Sequence, residues 1–326
     1  MKRNEDDLIA YAWNKYIETQ DHTWLPRLPM VKGVVRAMDC VQELLRGERY
    51  GGHAIDKFTI AGGSKRGWTT WMTAAADPRV AAIVPIVIDV ANVDASMRHH
   101  AAVYGFWSHA IGDYVRHGIT QRWDSEPLRQ LLKIEDPYFQ RERLTMPKFI
   151  VNAAGDQFFC PDSSRFYYDD LPGEKLLRYI PNTDHSLRGS DAVESIAAYY
   201  QMLLSGRPRP RYNWKFEPSG AIKVTTEDQP RRVLLWQASN TKARDFRLTS
   251  IGPAYRSQEL KRLDDGSFVG HVPTPEQGWT AFFVELTYET DTALQLKLTT
   301  AVRVLPDKLP FANLDLKSIP AEAARQ

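Results

Sequence analysis

Three residues of reactive type stand in a fixed order along the chain: Ser64 in Gly62-Gly-Ser-Lys-Arg-Gly67, Asp156 in Asn152-Ala-Ala-Gly-Asp156, and His185 in Asn182-Thr-Asp-His185. Acyl transfer needs a nucleophile, a base that takes its proton and an acid that orients the base. Serine, aspartate and histidine in that chain order match the order of α/β-hydrolases. The serine segment follows a short apolar run, Phe58-Thr-Ile-Ala, and leads into helix-forming residues. A nucleophile on so tight a turn needs neighbours without side chains, and Gly62, Gly63 and Gly67 supply them. The spacing is G-x-S-x-x-G rather than G-x-S-x-G, so the motif alone is of moderate specificity. The bland readings are a helix cap at Ser64 and turn residues at Asp156, Asp184 and His185.

Other residues are weighed around that trio. The backbone N–H of Lys65, at the start of a helix, is the expected oxyanion donor. The Lys65 side chain reads as an ordinary solvated or paired cation. Arg66 is either another such cation or a contact for an anionic substrate. Trp68 and Phe158 flank the trio in sequence and are expected to wall a substrate pocket, as is Trp107. Phe159, Phe166 and Tyr167 read as mostly core. Asp89, just past an apolar run, is a rival acid, ranked below Asp156. His99, His100 and His109 lack acidic or cysteine neighbours at ligand spacing, so packing or pocket lining is expected and no metal or other cofactor.

The positioning elements follow from periodicity. Residues 5–57 read as helical: Leu8, Tyr11, Ala12 and Tyr16, then Val31, Val34, Val35, Met38, Val41 and Leu45, recur at helix spacing. Strands are expected at 58–62, 81–88, 147–153 and 176–180, with helices at 66–76, 162–170 and 190–204. That alternation predicts a parallel sheet with helices on it. Residues 93–145, rich in aromatics and histidine, read as a helical cap inserted at the C-terminal edge of the sheet. An Arg/Pro linker at 207–211 then separates an α/β domain, 1–206, from a domain at 212–326 that ends in a tail. There the expected strands are short, at 221–226, 231–238, 244–249, 268–272, 279–289 and 295–304. They predict an immunoglobulin-like β-sandwich with Phe282, Val284 and Leu286 on its inner face.

Composition bounds the function. The chain has 326 residues, 43% hydrophobic, and a formal net charge of +2. Such a balance argues against a nucleic-acid binder. The most apolar run, Val80–Val93, is too short to span a bilayer, which argues against an integral membrane protein. The first residues carry no signal-peptide core. Cys40 and Cys160 make no disulfide framework.

Several longer runs carry a resemblance. They include Gly62-Gly-Ser-Lys-Arg-Gly-Trp-Thr-Thr-Trp71, Tyr104-Gly-Phe-Trp107, Lys133-Ile-Glu-Asp-Pro-Tyr138, Asn152-Ala-Ala-Gly-Asp-Gln-Phe-Phe159, Asn182-Thr-Asp-His185 and Gly278-Trp-Thr-Ala-Phe-Phe-Val-Glu285. Over nearly the whole chain the sequence resembles the PhoPQ-activated pathogenicity-related protein family, of autocrine proliferation repressor-like type. The resemblance implies an α/β-hydrolase-like fold with a C-terminal β-domain, and secretion or a periplasmic location. It leaves two functions open: a serine hydrolase of an ester, thioester or amide, or a secreted signalling or binding protein with little catalysis. The partner is accordingly a small acyl substrate or a protein. Family members carry further sequence ahead of the region matching 5–57, and no strand pattern precedes residue 58. The nucleophile strand is therefore expected to have an open edge unless helices cover it. On that reading this exact chain should be poorly stable, weakly active and prone to associate.

Overall fold

The computed structural model describes Arg3 and residues 5–320. The ends of the two expected domains, at residues 1, 2, 4 and 321–326, lie outside the described residues. Two helices come first, α1 (Glu5–Thr19) and α2 (Arg27–Arg46). Then β1 (Phe58–Gly63), β2 (Val80–Ile86), β3 (Lys148–Ala153) and β4 (Lys175–Ile180) form a parallel sheet in the order β1-β2-β3-β4. Helix α3 (Lys65–Ala76) joins the first two strands, and α7 (Ala192–Leu204) follows the fourth. Between β2 and β3 the chain makes α4 (Val93–Tyr104), α5 (Gly112–Arg116) and α6 (Glu126–Glu135). The fold is thus α/β with a helical insertion, as the alternation predicts.

Side chains alternate across a strand, so a sheet with both faces covered must be apolar on both. Ile83, Ile150, Leu177 and Tyr179 point to one layer, shared with α1, α3 and the insertion. Val84, Phe149, Val151, Leu176 and Ile180 point to the other, shared with Ala198, Tyr199 and Met202 of α7. The two edges of the sheet differ. Along β1, Phe58, Thr59 and Ile60 are half-buried and Ala61 is exposed. Helix α2 packs mainly on α3, burying Met38 but leaving Leu28, Val41 and Leu44 exposed.

The β4 edge is closed by the C-terminal part. That part contains β5 (Tyr212–Phe216), β6 (Ile222–Thr226), β7 (Arg232–Asn240), α8 (Leu248–Ile251), β8 (Arg256–Glu259) and β9 (Phe268–Gly270). It ends with β10 (Trp279–Glu289), β11 (Gln295–Thr299) and β12 (Arg303–Leu305). Its strands form two antiparallel sheets, β5-β6-β9 and β11-β10-β7-β8, with β12 also on β10. Phe282, Val284 and Leu286 share an apolar cluster with Ile222 and Val224 of β6 and Phe268 of β9. The intervening Ala281 and Phe283 face the other way, and Phe283 lies near Tyr179 and Tyr255. Side chains complete the edge of β4. Tyr179 N donates to Thr299 Oγ1 at 2.8 Å, and Leu177 N to Tyr212 Oη at 3.2 Å. Backbone groups that would otherwise be orphaned in the interior are so satisfied.

Several elements depart from the sequence expectation. The helix expected at 162–170 is a single 3₁₀ turn, Ser163–Phe166, because the buried Asp162 is held by His99 (2.9 Å) and Arg244 (2.7 Å). The strand expected at 244–249 is a loop leading into α8. Its Arg244 and Arg247 are buried in ion pairs with Asp162 and Asp245, which a ladder would not allow. The run 295–304 breaks after Thr299, whose side chain serves β4 rather than β10. Strands β5 and β8 were not expected. β8 is exposed at all four residues, so it carries no apolar alternation.

Two buried carboxylates fasten the chain just past β2, one of them from the insertion. Asp136 accepts from Asn92 N (3.1 Å), Val93 N (2.7 Å) and Tyr138 N (3.0 Å), anchoring the start of α4. Asp89, just past β2, accepts from Tyr167 (2.7 Å) and from Tyr179 of β4. Burial pushes the Asp89 carboxyl up to about 7 against the help of those two hydroxyls. A folded carboxyl that holds its proton longer than the unfolded one lowers stability as pH rises between the two values. Across about pH 4 to 7 the wild type should therefore lose ground to Asp89→Asn, which cannot titrate. Thermal melting of both proteins across that range measures it; a gap that does not change with pH would refute it.

Candidate active site

The turn between β1 and α3 holds Ser64 at φ 55° and ψ −123°, a conformation non-glycine residues rarely adopt. Its surroundings force it. Ser64 N donates to Ile86 O at 2.8 Å, tying the turn to the end of β2, and Trp68 N closes the first helical turn on Ser64 O at 2.9 Å. A Cβ on Gly62 would lie 2.6 Å from the Arg66 carbonyl, and one on Gly67 would lie 2.8 Å from Gly62 O. Both positions must be glycine for strand and helix to meet this closely. The N–H groups of the first helical turn, Lys65 among them, have no acceptor within the helix and point toward the turn.

Asp156 and His185 leave the ends of β3 and β4. Asp156 is buried; its Oδ2 accepts from His185 Nδ1 at 2.8 Å, and its Oδ1 from Phe158 N at 2.7 Å. With Nδ1 donating to a carboxylate, a neutral imidazole presents a lone pair at Nε2. That Nε2 is buried and has no hydrogen-bond partner among the described residues. The two loops run on as an extension of the sheet, through Ala154 N to Ile180 O (2.9 Å) and Gly155 N to Thr183 O (3.1 Å). His185 N also donates to Gln157 Oε1 at 3.1 Å.

The C-terminal part clamps the histidine loop. Asn182, at φ 56°, exchanges two hydrogen bonds with the backbone of Tyr255, at 3.1 and 2.9 Å. Leu248 N donates to Gly155 O at 2.9 Å. Gln157, Asn182 and Tyr255 were not singled out in the sequence. Asn182 carries a faint signal, since asparagine tolerates the left-handed region; the other two carry none.

Asp156 and His185 thus pair directly, but the structure contains no hydrogen bond from Ser64 to His185. Phe158 touches both sides of that gap: its ring lies 4.3 Å from the His185 ring, and it lines a cavity with Ser64. Trp68 and Lys65 also line this cavity. The Lys65 ammonium pairs with Asp6 (2.7 Å) and Glu5 (3.1 Å), at the start of α1. Arg66 is exposed, pairs with Glu5 at 3.1 Å and lies away from the cavity beside β1 and α2. Trp107 is fully buried, stacked on His100, and is not a wall of the cavity. A tryptophan between two helices of the insertion finds more apolar surface inside that layer than at its rim. Asp89 is occupied by its two tyrosines. His99 is paired to Asp162, while His100 accepts from Ser108 N at 3.2 Å. No cluster of three potential metal ligands occurs among the described residues.

Comparison with known proteins follows from here. The profile of the PhoPQ-activated pathogenicity-related protein family matches residues 1–247. The chain is 36% identical to autocrine proliferation repressor protein A of Dictyostelium discoideum over 341 aligned residues, 96% of this chain and 68% of that protein. Among solved structures, an acetyl xylan esterase from Paenibacillus sp. R4 is similar at TM-score 0.39 and 18% identity, over 52% of this chain and 51% of that one. The Pyrococcus horikoshii acylaminoacyl peptidase is similar at TM-score 0.38 and 16% identity, over 54% and 28% respectively. This chain therefore spans about half of the esterase and less of the peptidase. By its profile and its relative, the chain belongs to the PhoPQ-activated pathogenicity-related protein family.

Proposed function

We propose that this protein is a serine hydrolase that cleaves an ester, thioester or amide through Ser64, His185 and Asp156. The observation that carries the reading is the pairing of two costly features at one sheet edge: a serine held at positive φ between strand and helix, and a buried Asp156–His185 pair with its Nε2 unpartnered. In the reaction, Ser64 Oγ attacks the carbonyl carbon while His185 Nε2 takes the hydroxyl proton. The oxyanion develops against the Lys65 N–H. As the carbonyl reforms, the bond to the leaving group breaks and His185 passes it the proton. Water repeats the sequence on the acyl-enzyme, releasing the acid and restoring Ser64. Asp156 keeps the proton on Nδ1 and stabilises the imidazolium. The Ser64–His185 hydrogen bond would form on substrate binding, as such contacts often tighten only then.

The domain division that goes with this reading is an α/β unit at 1–206 with its cap at 93–145, a linker at 207–211 and a β-sandwich unit at 212–326. The second unit holds the histidine loop in place and supplies no reacting group. A second reading is a secreted signalling or binding protein in which the trio does little chemistry. The missing Ser64–His185 bond favours it, as does the relative's name, a repressor of proliferation. No helix among the described residues is long and apolar enough to cross a membrane.

Covalent labelling with a fluorophosphonate separates the two. The wild type should label at Ser64, and Ser64→Ala and His185→Ala should not; a wild type that stays unlabelled would favour the signalling reading. The identity of the acid is tested by turnover of an activated ester. Asp156→Asn should lower kcat by about 10³–10⁴, the range for disturbing the imidazole tautomer. Asp89→Asn, whose residue holds tyrosines rather than the imidazole, should stay within about tenfold of wild type at pH 8. Equal losses at the two positions would overturn the assignment.

A further inference from the structure

The cavity beside Ser64 has a size and a chemistry. Its volume is about 70 Å³. An apolar protein cavity of about 150 Å³ holds one benzene, so this one takes roughly two or three heavy atoms. Trp13, Trp68, Met97, Trp123 and Phe158 are among the side chains that line it with Ser64. Most of the polar groups around it are turned away to partners, whereas the buried Arg27 keeps its Nε without one. Trp13 Nε1 donates to Glu135 Oε2 and Trp68 Nε1 to Glu135 O, both at 2.6 Å. Trp123 Nε1 donates to Asp94 at 2.7 Å. Asp6 is taken by Lys65 (2.7 Å) and Tyr114 (3.2 Å), and the Arg27 guanidinium lies 4.3 Å over the Trp68 ring. A hydroxylated group entering here would lose its water and find most neighbouring donors and acceptors already paired.

We propose that this cavity is an acyl pocket, and that the substrates are esters or thioesters of short, unbranched acids, acetyl and propionyl above all. The inference rests on Ser64 being the nucleophile. It assigns the cavity to the acyl side because Ser64 and Lys65 both line it. The group that stays bonded to Ser64 after the leaving group departs is the one that must fit there. Each further methylene gains about fourfold in kcat/KM while it fits an apolar wall. One that does not fit forces the packed aromatic wall to move, and the gain turns into a loss.

The test is kcat/KM for 4-nitrophenyl esters from acetate to octanoate, with the leaving group held constant. Acetate and propionate should be best, and hexanoate at least tenfold worse. Met97→Ala removes a side chain from the lining and should raise the butyrate-to-acetate ratio at least tenfold. A second readout is independent of turnover: xenon under pressure should occupy the cavity of crystalline Ser64→Ala, against Trp68, Met97 and Phe158. Octanoate hydrolysed as well as acetate, or no xenon in the cavity, would overturn the pocket while leaving a serine hydrolase in place. Xenon bound with no ester of any length hydrolysed would instead overturn the hydrolase reading, and the acyl assignment with it.

Discussion

The backbone of Ser64 is the constraint on which the rest of the site depends. A non-glycine residue at φ 55° costs on the order of 1–3 kcal/mol and persists only when its surroundings hold it there. Here the hold comes from three sides. The Ser64 N–H is committed to Ile86 O, the helix behind begins at once, and Gly62 and Gly67 let the two segments approach to a distance no side chain would allow. Val87, the residue after that acceptor strand, is itself at φ 44°. The strain is thus shared between the ends of β1 and β2. The parallel pairing of those two strands, from Phe58 with Val80 to Gly63 with Ile86, fixes where the serine stands.

The acid and base are held by a different set of contacts. Asp156 and His185 follow neighbouring strands, so the sheet brings them together with little further help. Their loops are then fastened from outside, by Tyr255 on Asn182 and by Leu248 on Gly155. Asp162 adds a third fastening between the insertion, the loop after β3 and the C-terminal part, through His99 and Arg244. Its carboxyl is held well below the ordinary range by its contacts with His99 and the Arg244 guanidinium despite full burial. A buried pair of this kind adds little net stability against an apolar alternative, but breaking one partner leaves a stranded charge. It therefore acts as a specific lock between segments that lie far apart in sequence.

What was legible in the sequence followed from local pattern. The four strands of the parallel sheet came from apolar runs, whereas their spatial order is visible only in the structure. The spacing of glycines around Ser64 announced the turn, and the pairing of Asp156 with His185 followed from two residues at neighbouring strand ends. What was not legible depends on long-range partners. Residues 162–170 have helical composition, but Asp162 is pulled into an ion pair with a residue 82 positions away. β8 reads as Arg-Ser-Gln-Glu and exists only because β7 offers it an edge. Trp107 looked like a pocket residue because it is aromatic and near other aromatics, yet it belongs to the interior of the insertion. Glu135, whose carboxylate and carbonyl serve Trp13, Arg27 and Trp68 together, gave no signal at all, since its partners come from three other helices.

That division of labour bears on how such a site changes. Ser64, Asp156 and His185 stand on strand ends and turns, and the close approach at Gly62 and Gly67 leaves no room for a Cβ. The cavity beside them is walled by helices, with Trp13 from α1, Trp68 from α3 and Met97 from α4. α1 and α3 are positioned through Glu135 and through Asp6 on Lys65, and α4 through Asp136, contacts that do not touch the Asp156–His185 pair. The shape of the pocket can therefore drift by exchange of helix side chains while the serine, acid and base stay fixed by the sheet. The strands thus set where Ser64, Asp156 and His185 stand and the helices laid over them set the shape of the cavity, a separation that lets one scaffold carry different sites.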